Sequence, residues 1–302
     1  DAAFADVDGD DDLDLYLVSG GNEFYNNMPQ QADRLYINDG KGNFSRDVNA
    51  LPPMLQNKSC VAATDIDNDG DIDFFVGGRV VPLHYGKPAP SFILINDGDG
   101  KFSDETKVSN AGFSSLGMVT DAQWGDIDGD GDHDLVVAGE WMPLRIFLNE
   151  KSVLREMKNI ISSSSPIKNI TGLWQCVTLA DIDKDGDLDI LAGNLGLNSS
   201  LKSEDTTAIR LMIGVSGNDG KKEPLIARIQ NDERYFPVPG WLTLREEMRE
   251  SFLKAYPTAA KYEGVDLEEL IRTLNLKWDS ELNVNQLASL CFENQNGKEF
   301  IA

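Results

Sequence analysis

The chain has 302 residues, 41% of them hydrophobic, and a formal net charge of -24. No run approaches the length of a membrane-spanning helix, which predicts a chain with a large core and no membrane insertion. Only 27 basic residues stand against 51 acidic ones, which argues against nucleic acid as a partner.

The first residues, Ala2-Ala-Phe-Ala, already read as an apolar strand, with no initiator Met and no signal segment, so the expectation is a fragment or a processed product. An acidic stretch follows, Asp6-Asp14, and near-copies recur at Asp65-Asp73, Asp126-Asp134 and Asp181-Asp189. Each carries Asp at positions one, three, five, seven and nine: Asp6, Asp8, Asp10, Asp12 and Asp14; Asp65, Asp67, Asp69, Asp71 and Asp73; Asp126, Asp128, Asp130, Asp132 and Asp134; Asp181, Asp183, Asp185, Asp187 and Asp189. Carboxylates at one, three and five converge when the backbone curls tightly, the carbonyl of position seven can add an oxygen, and the Asp at nine closes the shell. A cage of hard oxygens suits Ca²⁺, so the loops predict three to four calcium ions. Position six needs positive φ. Gly70, Gly131 and Gly186 supply it, and Asp11 replaces the glycine in the first loop, which is expected to be the weakest site.

An EF-hand would need a bidentate Glu at position twelve, where this chain has Leu17, Val76, Val137 and Ala192. The residues after each loop are β-branched, aromatic and short-run, as in Ile72-Asp-Phe-Phe-Val76, and read as strands. The first residues of the loops stand 59, 61 and 55 positions apart, a period that suggests propeller blades. Within each period lies a second signature, strand, Asn/Asp/Gly turn, strand: Leu35-Phe44, Phe92-Phe102, a weaker copy at Arg145-Asn149 and another at Leu290-Phe300. Two strands around the acidic loop and two around the turn make a four-stranded blade.

The loops, followed by Val76-Gly-Gly-Arg-Val-Val-Pro82 and Val137-Ala-Gly-Glu-Trp-Met-Pro143, resemble FG-GAP repeats, also called VCBS repeats. Val18-Glu23, Asn38-Phe44 and Ala192-Asn198 are similar to the large secreted FG-GAP/VCBS proteins of Bacteroidetes-type bacteria. The resemblance implies an all-β fold, a calcium-bearing propeller like that of integrin alpha heads. Five blades are expected, near residues 1–50, 58–108, 117–170, 173–205 and 207–302, as part of a seven-bladed ring and of a longer chain. It also implies a secreted or cell-surface location, such as a bacterial outer surface or periplasm, and an extracellular protein or glycan ligand.

Beyond the fourth loop the repeat degrades. Val215-Glu223 has the outline of a fifth loop, but Val215 and Gly217 replace two ligands. From Trp241 the period changes: Leu244, Met248, Phe252 and Tyr256 step by four, Thr243 with Glu246 forms a capping box, and Asp266 with Glu269 opens a second helix. A helical insertion at 241–280 within the last blade follows. Three cysteines exclude a complete disulfide framework, and Cys60 and Cys176, at matching strand positions of different blades, are expected to be free thiols, mostly buried like Cys291.

Neither histidine, His84 or His133, is paired with a recognisable nucleophile, and no G-x-S-x-G elbow is present. The favoured function is a calcium-stabilised binding or adhesion scaffold. The alternatives are a polysaccharide-active lyase or hydrolase on the same scaffold, or a spacer without ligand.

Overall fold

The computed structural model describes residues 1–302 except 25–26, 159, 166–169, 200, 202–208, 217–221 and 231–233. The repeats fold into antiparallel four-stranded blades of β-propeller type. Blade one is β1 (Ala2–Ala5), β2 (Asp14–Leu17), β3 (Arg34–Asn38) and β4 (Phe44–Asp47), in that spatial order. Blade two repeats it with β5 (Lys58–Thr64), β6 (Asp73–Gly78), β7 (Phe92–Asn96) and β8 (Phe102–Asp104). A short helix, α1 (Thr106–Asn110), leads to blade three: β9 (Met118–Gly125), β10 (Asp134–Met142), β11 (Arg145–Glu150) and β12 (Val153–Glu156). Each acidic loop joins the first two strands of its blade, and each Asn-led turn joins the last two.

Alternation along the strands explains how the blades pack. In β6, Phe74 and Val76 face a core shared with Tyr16 and Leu35 of blade one, while Phe75 faces a second core with Leu135 and Val137 of blade three. β6 is therefore buried on both faces along its whole length. β10 divides the same way, Leu135 and Val137 toward blade two and Val136 and Ala138 toward Trp174 and Phe292. Burying each large apolar side chain in this way contributes about 1.5–3 kcal/mol.

Blade four begins with β13 (Gly172–Ala180) and β14 (Asp189–Asn194), and the chain then leaves it. It forms a separate sheet from β15 (Ile209–Ser216), β16 (Lys222–Gln230), β17 (Arg234–Pro237) and β18 (Leu276–Val284), ordered β17-β16-β15-β18. Between β17 and β18 lie α2 (Trp241–Ala255), α3 (Ala259–Tyr262) and α4 (Leu267–Thr273). Residues Gly196–Leu287 make up this compact unit, and Asp1–Leu195 with Ala288–Ala302 make up the other. The chain then returns as β19 (Leu290–Asn294) and β20 (Phe300–Ile301), and β19 pairs with β14, Ile190 opposite Phe292.

That pairing corrects the placement of the Leu290-Phe300 hairpin in a fifth blade. It supplies the two outer strands of blade four, which an insertion has carried far along the sequence. The fifth acidic loop expected at Val215–Glu223 falls largely on residues 217–221, outside the described ones. In α2 the four-residue steps face the core as expected, with Leu244, Met248, Phe252 and Tyr256 buried. The Thr243/Glu246 capping box does not form, because the helix starts earlier, with Gly240 at the N-cap and Trp241 donating to the Tyr256 carbonyl at 2.8 Å. Asp266 caps α4 as expected, accepting from the Glu269 N–H. All three cysteines are free, but only Cys60 is buried; Cys176 and Cys291 are exposed.

Candidate metal centres

The first Asp of each loop draws the loop around itself. Its two oxygens accept the N–H groups of positions four to six: Asp126 from Gly129 at 2.8 Å and Gly131 at 3.1 Å, Asp181 from Lys184 at 2.7 Å and Gly186 at 3.2 Å. Such curling needs left-handed backbone twice. Position six has it as expected (Asp11 φ 68, Gly70 φ 101), and position four has it as well, at Asn68 (φ 60) and Lys184 (φ 67). The second requirement was not recognised from the sequence, although Gly9 and Gly129 at that position were its signal.

The Asp at position nine is buried in every loop and has two backbone partners. Asp73 accepts the Ile66 N–H at 2.9 Å and the Asn96 N–H at 2.8 Å, and Asp134 accepts those of Ile127 and Asn149, both at 2.8 Å. Asp14 and Asp189 repeat the arrangement with Val7 and Asn38, and with Ile182 and Asn294. This residue thus ties the loop to the third strand of its blade. The asparagine on that strand then reaches the preceding blade: Asn96 Nδ2 donates to Val7 O at 2.8 Å, Asn149 Nδ2 to Ile66 O at 2.8 Å and Asn294 Nδ2 to Ile127 O at 2.9 Å. The recurrent Asn was legible only as turn chemistry.

Positions one, three and nine bring one ligand oxygen each to within 4.8 Å of one another in three loops: Asp65, Asp67 and Asp73; Asp126, Asp128 and Asp134; Asp181, Asp183 and Asp189. In the first loop the group is Asp6, Asp8 and Asp10. Positions five and seven also make contacts of their own within the blades. Asp10, Asp69, Asp130 and Asp185 at position five each accept the N–H of position seven through Oδ1. The position-seven side chains turn away from the cluster: Asp12 and Asp71 pack on Gly40 and Gly98 of the hairpin turns, Asp187 accepts the Asn296 N–H at 3.1 Å, and Asp132 accepts Asn68 Nδ2 at 2.8 Å.

The electrostatics of the clusters are compatible with a cation. Burial pushes Asp73 up to about 7 and Asp134 to about 6, although both accept two N–H bonds that pull the other way. Asp8, Asp67 and Asp128 are raised by burial first and by a neighbouring carboxylate second. Asp8 Oδ1 and Asp67 Oδ1 are buried without a hydrogen-bond partner. An orphaned buried oxygen is costly, and a dication at the centre of the cluster would satisfy it and hold the carboxylates ionised. Oxygen-only ligands fit a hard divalent cation, with carbonyls and water completing the shell.

The profile of the FG-GAP-like repeat matches residues 6–76, 84–137 and 126–192, more than half of the chain. The chain belongs to the FG-GAP-like repeat family. The FG-GAP matches contain all four acidic loops and stop at the point where the inserted unit begins. No curated protein matches the chain. One similar solved structure, at 16% identity and a TM-score of 0.41 over 94% of this chain and 70% of its own, is titled for specific recognition of non-reducing terminal N-acetylglucosamine by a lectin of Agrocybe aegerita. A likeness at that level carries no argument about the ligand here.

Of the other residues singled out in the sequence, His133 shares a 2.6 Å hydrogen bond with Thr64 Oγ1, between blades three and two, and His84 bonds the Pro82 carbonyl. Trp141 and Trp174 are buried, and Trp124 is half-buried.

Proposed function

We propose that this FG-GAP protein is a calcium-stabilised extracellular binding scaffold that displays loops for a protein or glycan ligand. The observation that carries the reading is an Asp cluster in each of the four loops, at the same end of every blade. Calcium fits it better than magnesium, because irregular oxygen cages with several carboxylates suit the larger ion. Bound there, it would bridge the start and end of each loop and pin the first two strands of the blade. Secretion or cell-surface display, where calcium is abundant, agrees with such dependence.

At the opposite strand ends a hydrogen-bonded group supports a rigid display surface. Tyr85 donates to Glu140 at 2.7 Å, Trp141 Nε1 donates to Tyr85 at 2.9 Å, and Arg79 pairs with Glu140 at 2.7 Å. Trp141 holds φ 61, a conformation that costs a bulky residue about 1–3 kcal/mol. Strain of that kind persists where surrounding contacts over-determine a loop, which suits ligand recognition.

The test is a screen of glycan and secreted-protein panels with calcium-loaded protein and again in chelator. Binding that needs calcium and leaves the glycan intact is the expected result. Turnover of a polysaccharide would contradict the scaffold reading, and calcium-independent binding would remove the ion from it.

A further inference from the structure

Position two of an acidic loop carries no ligand, yet its backbone lies between two that do: Asp6 and Asp8, Asp65 and Asp67, or Asp126 and Asp128. Its N–H is taken by position nine of the same loop. Val7 donates to Asp14 at 3.1 Å, Ile66 to Asp73 at 2.9 Å and Ile127 to Asp134 at 2.8 Å. Its carbonyl is taken by a different blade. Asn96 of blade two donates to the Val7 carbonyl at 2.8 Å, Asn149 of blade three to that of Ile66 at 2.8 Å, and Asn294 of blade four to that of Ile127 at 2.9 Å. The three asparagines and the three position-two residues are all buried, and all lie in the unit that holds the four blades.

That carbonyl belongs to the peptide unit joining position two to position three, so its direction sets the course of the backbone into the position-three aspartate. Position three is also where polar atoms are left over, since Asp8 Oδ1 and Asp67 Oδ1 are buried without a partner. The hairpin turn beyond the asparagine approaches the same residue. A Cβ on Gly297 (φ 69) would stand 2.4 Å from Asp128 Cα, closer than two carbons can come, and one on Gly100 (φ 72) would touch Asp8 Cβ at 3.6 Å. Only glycine lets the turn of blade four come so near the loop of blade three.

We infer that Asn96, Asn149 and Asn294, together with Gly297, are positioning residues for the metal loop of the preceding blade, so that the calcium affinity of loops one to three is set from the blade that follows each. The inference rests on the calcium reading above and deepens it. Groups that orient metal ligands without touching the metal change affinity about 10–100-fold when they are removed. Here those groups come from a neighbouring blade, so metal loading of a loop and docking of the next blade on it support each other.

The direction of this control follows from which atoms are used. Each asparagine holds the loop of its own blade through its backbone N–H, Asn96 to Asp73, Asn149 to Asp134 and Asn294 to Asp189, each at 2.8 Å. It holds the loop of the preceding blade through its side chain. A substitution therefore removes the second bond and leaves the first. A mere brace between blades would, on removal, loosen the blades without singling out one loop; a positioning residue weakens calcium binding at the preceding loop alone.

The experiment is hydrogen exchange of the metal-stripped 302-residue protein, read by mass spectrometry on peptides covering each acidic loop as calcium chloride is added. In the unsubstituted protein each loop gains protection with its own calcium midpoint. Asn149→Leu is expected to raise the midpoint of loop 65–73 about tenfold and to leave that of 126–134, in its own blade, unchanged. Gly297→Ala is expected to raise that of 126–134 and to leave 181–189 unchanged. Asn149→Ser, a smaller change, stands in if the leucine variant does not fold. A shift confined to the loop of the substituted blade, equal shifts in all four loops, or no shift overturns the inference. If no loop of the unsubstituted protein gains protection with calcium, the calcium reading itself fails and takes the inference with it, an outcome read without any variant.

Discussion

The four blades and the inserted unit of Gly196–Leu287 are built on antiparallel sheets, yet they are held together differently. The inserted unit covers one sheet face with helices and fills it with a conventional core, in which Phe252, Tyr256 and Tyr262 pack with ring centroids 5.3–5.6 Å apart. The blades also have apolar cores, but around each acidic loop they bury a carboxylate, Asp14, Asp73, Asp134 or Asp189. These carboxylates organise backbone N–H groups of the loop and the third strand and stand at or beside a cluster that could hold a cation. The difference teaches that a repeat can bury an ionisable residue as a structural clamp beside a candidate metal cluster. On the calcium reading proposed above, the stability of the blades would depend on solution conditions that leave the inserted unit unchanged.

The comparison can be broken most sharply at position nine. Asp73→Ala leaves the buried N–H groups of Ile66 and Asn96 without their partner, and should lower stability by about 2–5 kcal/mol, with or without calcium. Chemical unfolding in both buffers checks this; a loss seen only in calcium would mean the residue is a ligand and not a clamp. Asp126→Ala at position one should behave differently. It should remove one calcium and about 1.4 kcal/mol, the contribution of one site at ten times Kd, while changing little in chelator. Equal effects in the two buffers would refute a metal role for that loop.

The response to pH sharpens the same contrast. Asp73 and Asp134 titrate near 7 and 6 in the folded, metal-free protein, above an ordinary carboxylate. Between those values and the ordinary range the folded state holds protons that the unfolded state has lost. Metal-free blades should therefore gain stability as pH falls from 7 toward 5. Calcium competes with those same protons, so the stabilisation it confers should shrink over that range. Thermal melts across this range, with calcium and with chelator, would show converging curves; parallel curves would contradict the account. The smallest expected effect is at position six of the first loop. Asp11→Gly relieves a left-handed residue at φ 68 and should add about 1 kcal/mol while tightening that site, measured by calcium titration of the variant.

Much of this was legible in the sequence because each acidic loop is contiguous. Nine residues carry the ligands, the position-six turn and the start of a strand, so spacing alone located the curl and the candidate centres. Two features could not be read so directly. The hairpin of blade four lies far from the strand it pairs with, as the bond from Asn294 N–H to Asp189 illustrates, and sequence order assigned it to the nearest sheet. The shortage of outer strands after Asp189 was the available sign of an insertion. The division of labour among the aspartates was also hidden, because one, three, five, seven and nine look alike in sequence. Only the fold shows that position seven turns outward at Asp12 and Asp132 while position nine is buried in a hydrogen-bonded clamp.

The measurement that bears most directly on the central claim is calorimetric. Metal-stripped protein would be titrated with calcium, then heated in calcium and in chelator while the two units are followed separately. The account predicts three to four bound ions, a large calcium-dependent rise in the melting of the blades, and an inserted unit that melts at the same temperature in both buffers. Fewer ions with no change in the blades, or an equal shift in both units, would contradict it.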